Sequence, residues 1–180
     1  GRELASRVAR RNGWRDPVSR DLVRRGEVAP DWAFALSAGA PKANSPRDLM
    51  CLSYRADKVW PNFDDFQRVK SWAESRGLEV VVVTQVQSDH QSNALLATKL
   101  GVRHVAAFGD TLDEVEARVV DTFERAAIVL SNRIHVLILA ATVGAVPGAI
   151  LGHRDVKILR TLSVGGPVSI MVSGIVGELS

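Results

Sequence analysis

The chain is predicted to be an α/β protein, a Rossmann-like parallel sheet flanked by helices. The first observation is alternation: short apolar runs, several rich in β-branched residues, take turns with amphipathic stretches about twice as long. The second is punctuation, because Gly77 and Gly101 fall where helical patterns stop. The third is size: 180 residues with 46% hydrophobic and 24% charged side chains suit one good core and leave little room for two full domains.

In chain order, residues 2–11 set Leu4, Ala5, Val8 and Ala9 at helical spacing with arginines between, which predicts a solvated surface helix. After the Asn12-Gly13 turn, Asp16 is placed to cap a helix that has Pro17 in its first turn and stops at Gly26. Residues 37–46 shift to Ser, Ala, Gly, Pro and Asn and read as a linker. Beyond it, strands are expected at Leu49–Tyr54, Glu79–Thr84, Val102–Ala107, Ala127–Leu130 and Val146–Leu151. Helices are expected at Asp64–Arg76, Asp89–Leu100, Thr111–Arg125, Arg133–Val143 and Val156–Leu162. Thr111 with Glu114 forms a capping box. Strands of about five residues alternating with helices of about twelve imply right-handed βαβ units. The segment from Val164 to Ser180 has four glycines and one charge, Glu178, and fits no simple element.

Composition excludes several classes. Net charge is only +3 despite a pI near 9.4, so a nucleic-acid partner is not demanded and a small anion or acidic glycan suits equally. The single cysteine, Cys51, lies in an apolar run, which rules out an intramolecular disulfide and fits a reducing cytoplasm. The uncharged run from Val136 to Gly152 is too short and too broken by Pro147 to span a membrane. Ser53 to Pro61 contains no glycine, so the dinucleotide fingerprint is absent, and there is no Walker-type lysine loop. There is no nucleophile elbow, and the four histidines lack a metal-ligand pattern, so no metal or cofactor is expected.

In a parallel sheet the strand-to-helix loops emerge on one edge and their polar residues converge. That edge would carry Arg55, Gln85, Asp89, Asn132, Arg133, His135, His153, Arg154 and Lys157. Cations and histidines with few carboxylates predict a pocket for a small polyanion. Asp89, His90 and Asp110 read more simply as caps or surface residues.

The run Ser131-Asn132-Arg133-Ile134-His135, its apolar helix, Gly144-Ala145-Val146-Pro147 and the lysine beyond resemble the signature of the polysaccharide pyruvyl transferase family. Upstream, Trp14-Arg15-Asp16-Pro17-Val18-Ser19 resembles that family's strand, Arg-Asp, Ser, helix element, and Pro30-Asp31-Trp32-Ala33-Phe34 its Asp-x-Ala-Phe element. The resemblance implies a two-lobed, GT-B-like fold, with residues 1–36 ending the N-terminal lobe, 37–47 as linker and 48–180 as the C-terminal lobe. It implies phosphoenolpyruvate as donor substrate, a glycan or lipid-linked saccharide as acceptor, and a pyruvate ketal plus phosphate as products. It assigns donor binding to Arg133, His135, Lys157 and Arg15, with His135 catalytic. Arg55, Gln85, Asp89 and Asn132 join them as pocket residues. A cytoplasmic location follows, either free or at the inner face of the membrane, without a membrane span, and an oligomer stays open. A GT-B glycosyltransferase using a nucleotide sugar, or a non-catalytic anion- or glycan-binding lobe, are the alternatives. The natural protein is expected to extend upstream of Gly1, with more of the N-terminal lobe.

Overall fold

The computed structural model describes residues 13–14, 16–29, 46–58, 60–106, 111–151 and 170–173. The expected helices at 2–11 and 156–162, most of the 37–47 linker, and Arg15, Asp110, His153, Arg154 and Lys157 lie outside the described residues.

A small unit comes first. Strand β1 (Gly13–Trp14) pairs in parallel with β2 (Glu27–Val28), and helix α1 (Pro17–Val23) connects them. The Asp16 side chain accepts from Ser19 N at 2.8 Å, and the Ser19 hydroxyl donates back to Asp16 at 2.7 Å. The expected cap is therefore present, with Pro17 in the first turn, where its missing N–H costs nothing. The stop differs from expectation: the left-handed cap is Arg24 at φ 54°, two residues before Gly26. An early stop leaves Arg25 and Gly26 to turn the chain so that β2 can lie beside β1.

The main sheet contains β3 (Leu49–Ser53), β4 (Glu79–Thr84), β5 (Arg103–Ala106), β6 (Ala126–Ser131), β7 (Val146–Leu151) and β8 (Ile170–Ser173). Spatial order is β5-β4-β3-β6-β7-β8, and each pairing is parallel. The chain starts in the middle, winds outward through β4 and β5, then crosses back to β6 beside β3. Ordering of this kind creates a crevice at the carboxyl ends of β3 and β6, where the direction of winding reverses.

Helices α2 (Phe63–Glu74) and α3 (His90–Leu100) cover one face; α4 (Leu112–Glu124) and α5 (Ile134–Thr142) cover the other. The twofold alternation of a strand decides which core each residue joins. Leu49 and Cys51 point toward Phe123, Val136 and Ala140, whereas Met50 and Leu52 point toward Phe66, Val69 and Leu96. Because both faces are covered, β3 is wholly buried and reads as a continuous apolar run.

Most expected boundaries hold within two residues. Thr111 and Glu114 form the reciprocal capping box at the start of α4. The start of α3 differs by one residue with consequences: the helix begins at His90 after a 3-10 turn over Gln87–Asp89, and Asp89 makes no side-chain cap bond. Asp89 holds the N-cap position of α3, but its side chain does not cap the helix, and at 3% exposed it is not a surface residue. Its carboxylate is used by partners distant in sequence.

Burial pushes the Cys51 thiol up to about 12, far above the range in which thiolate forms at neutral pH. Native protein at pH 8 is therefore expected to resist iodoacetamide, and to take up one equivalent in denaturant. Rapid labelling of the native protein would show that the β3 core opens.

Candidate functional site

The chain leaves β3 at its carboxyl end, where neighbouring strands no longer supply hydrogen bonds, and buried or part-buried N–H groups there need other acceptors. Three successive ones find side chains from other elements. Tyr54 N donates to Asn93 Oδ1 at 3.2 Å, Arg55 N to Asn132 Oδ1 at 2.8 Å and Ala56 N to Asp89 Oδ1 at 3.0 Å. Asn93 Nδ2 also donates to Tyr54 O at 2.9 Å and to Asp89 O at 3.1 Å. The loop is thus fastened to α3, to the turn before α3 and to the turn after β6. With these N–H groups engaged, the first strand-to-helix loop cannot cradle a phosphate as a glycine-rich loop does.

On the other side of the crevice, the Ser131 hydroxyl donates to Ser53 O at 2.6 Å and accepts from Arg133 N at 2.9 Å. These bonds fix the turn from β6 into α5. Arg133 is the N-cap residue of α5, extended at φ −106° and ψ 122°, and gives the helix no side-chain cap. The first-turn N–H groups of α5 have no acceptor within the helix. A helix N-terminus of this kind attracts negative charge.

The guanidinium of Arg133 turns toward Asp89. Nε donates to Asp89 Oδ2 at 2.7 Å, and one terminal nitrogen donates to the same oxygen. Arg55 pairs with Asp57 through bonds of 2.8 and 2.6 Å, and this guanidinium holds the Asp57 carboxyl below the usual carboxylate range. Two of the expected cations therefore carry carboxylate partners, so the edge holds more negative charge than its sequence pattern implied. Asp89 supplies part of it because the 3-10 turn carries its side chain inward.

Arg55, Asp89, Asn132 and Arg133 are brought together in one network. Gln85 lies half-buried just past β4, and His135 is the exposed second residue of α5. Asn93 is the residue the sequence reading missed, although it carried a signal: it shares a helical stripe with Leu96, Ala97 and Leu100, where an amide must have a partner. Nearby, His104 Nε2 lies 2.8 Å from Thr84 Oγ1, and its ring is 5.2 Å from that of His90. Burial, and then the neighbouring His90, lower the pKa of His104. Among the described residues, no group of three or more His, Cys, Asp or Glu side chains is placed to hold a metal ion.

No protein-family model matches the chain, and no curated protein does. A solved structure does: the glycosyl transferase family 9 protein from Veillonella parvula, with a TM-score of 0.51 at 12% identity. The fold is α/β and GT-B-like, a parallel sheet flanked by helices. The alignment covers 78% of this chain and 38% of the other, so the chain spans well under two thirds of that relative's length. Among the described residues, no helix is long and apolar enough to cross a membrane.

Removing Asp89 leaves Arg133 partly buried beside an empty site and Ala56 N without its acceptor. Asp89→Ala is expected to cost roughly 3–5 kcal/mol in urea unfolding. The double variant with Arg133→Ala should recover part of that loss, giving a coupling of about 0.5–3 kcal/mol; strict additivity would show that the pair contributes nothing. His104 makes a separate prediction. Its folded pKa lies below the unfolded value, so the unfolded state binds the proton first as pH falls. The contribution is complete above the ordinary histidine value of 6.5 and is lost as pH falls through it toward the folded value. His104→Phe should flatten the melting temperature between pH 7.5 and 5.5, and an unchanged slope would count against a part-buried neutral imidazole.

Proposed function

We propose that this chain supplies the donor-binding lobe of a glycan-directed transferase, and that the group transferred is pyruvyl from phosphoenolpyruvate. The observation that carries the reading is the Ser131–His135 turn, which sets Arg133 and His135 at the N-terminus of α5 on the edge of the switch-point crevice. Ordered motifs from Arg15 to Lys157 support it, as does the fold likeness to a glycosyl transferase. In this reading residues 48–180 form the C-terminal lobe, residues 1–36 end the N-terminal lobe, and the protein works in the cytoplasm.

Phosphoenolpyruvate has an anion at each end, a phosphate and a carboxylate. Arg133, held by Asp89 through Nε and one terminal nitrogen, offers a planar guanidinium in a fixed orientation. The N–H groups of α5, with Lys157 and Arg15, take the remaining charge. Protonation of the donor methylene leaves a cation at C2, to which the first sugar hydroxyl adds. Phosphate then departs with its C–O bond electrons, and the second hydroxyl closes the ketal. Both hydroxyl protons are released, and His135 is the group suited to moving protons near neutral pH.

Nucleotide-sugar transfer is the second reading, favoured by the glycosyl transferase likeness. Thermal shift separates the two. Phosphoenolpyruvate at 100 times its dissociation constant should stabilise the protein by about 2.7 kcal/mol, with nucleoside diphosphates giving no shift. Arg133→Ala and His135→Ala should weaken that shift, and His135→Ala should lower acceptor-dependent phosphate release by roughly 10²–10⁴-fold. Stabilisation by nucleotides alone would favour the second reading, and anion binding without turnover in the full-length protein would reduce the lobe to a binding module.

A further inference from the structure

A second concavity lies beside the crevice, on the sheet face covered by α2 and α3. It has a volume of about 330 Å3, within the range that small-molecule sites occupy. One wall is aromatic, from Trp60, Phe63 and Phe66; the other is α3 from Ser92 to Lys99. Ser92 and Lys99 lie seven steps apart on the helix, a rise of about 10 Å, so lining residues are spread along the α3 axis. Ala56, whose N–H is held by Asp89, closes the end nearest the crevice.

Core packing accounts for Phe66 and Leu96 in the lining, which are buried, but not for the exposed residues Leu95 and Phe63. The side of α3 that enters the core carries Asn93, Leu96, Ala97 and Leu100, and Leu95 lies off that stripe, 55% exposed. Phe63 opens α2 and is 36% exposed. Two large apolar side chains thus line an open cavity and stay exposed, while the aromatic rings of Tyr54, Trp60 and Phe66 are packed together. Trp60 Nε1 donates to Arg55 O at 2.6 Å, and Tyr54 packs against Trp60 and Phe66 with ring centroids 5.6 and 5.0 Å away. A preformed apolar floor of this kind suits a hydrocarbon chain better than a sugar, which would need more hydrogen-bonding partners.

Charge sets the polarity of the ligand. Lys99 is the charged residue of the lining, in the last turn of α3. At the other wall Asp64 and Asp65 occupy the first turn of α2, where they repel an anion from that helix end. An anionic group therefore belongs beside Lys99, with the apolar chain running toward Ala56.

We propose that the cavity between α2 and α3 binds one molecule of an anionic amphiphile, its apolar chain between Phe63 and Leu95 and its head group at Lys99. The site is separate from the donor site and does not depend on the transfer reaction. Decyl phosphate below its micelle concentration is the probe, titrated calorimetrically into the full chain, with decyl maltoside as the uncharged counterpart. One-site binding with a negative heat-capacity change is expected, since apolar surface is buried. Leu95→Glu and Lys99→Glu alter exposed positions, and each should weaken binding by about tenfold or more; decyl maltoside should bind more weakly than decyl phosphate. Absence of binding to the wild type overturns the proposal, as does equal affinity in the Lys99→Glu variant. Association only with phosphatidylglycerol vesicles would make the patch a membrane contact instead. A dimer in light scattering that Leu95→Glu dissociates, without amphiphile binding, would assign the cavity to a second copy of the chain.

Discussion

The end of a central parallel strand is where this structure is most constrained. Tyr54, Arg55 and Ala56 leave β3 with three N–H groups that the sheet no longer satisfies; the first is buried, where an unpaired donor costs about 1–3 kcal/mol, and the next two are part-buried. Asn93, Asn132 and Asp89 each take one. The acceptors come from α3, from the turn after β6 and from the turn before α3, so satisfying one short loop fixes the relative placement of three segments. Buried polar groups on these segments would be liabilities on their own and become stabilising only as a completed set.

The same tie determines what the crevice can offer a ligand. In many switch-point sites the loop after the first strand presents its backbone to a phosphate. Here that backbone is occupied, and the N-terminus of α5 on the opposite side is left uncapped. Asp89 links the two sides: one carboxylate oxygen holds Ala56 N and the other holds Arg133. The most prominent cation of the edge is therefore fixed in orientation and partly neutralised. A ligand that binds beside it meets a rigid guanidinium plane with its counter-charge behind it, which favours shape-specific recognition over simple charge attraction.

The two faces of the sheet have different surroundings at this edge. On the face with α4 and α5, the core closes over Val136, Leu137 and Ile138, which are essentially fully buried. On the face with α2 and α3, the aromatic group of Tyr54, Trp60 and Phe66 is buried except for Trp60, and beside it the cavity stays open. The crevice and the cavity share Ala56 as a boundary, so both are shaped by the tether of the β3 loop.

Sequence by itself determined the parallel α/β class, helix α1 and the elements from β3 to β7, though not the short strands β1 and β2 or β8, because strand and helix periodicities and capping patterns such as Asp16-Ser19 and Thr111-Glu114 act over a few residues. It also indicated which loops meet at one edge, since that follows from parallel topology alone. Asp89 shows where local information stopped. Ser88-Asp89-His90 looks like a helix cap, and only a partner 44 positions away, Arg133, and another 33 positions away, Ala56, draw its carboxylate inward. Asn93 and the apolar cavity are of the same kind, an amide among leucines and an exposed Leu95, each visible in sequence but without a stated partner. Tertiary structure decided these because the free energy of a buried polar group or an exposed apolar one depends on what the fold brings against it, and nearest neighbours in sequence do not specify that.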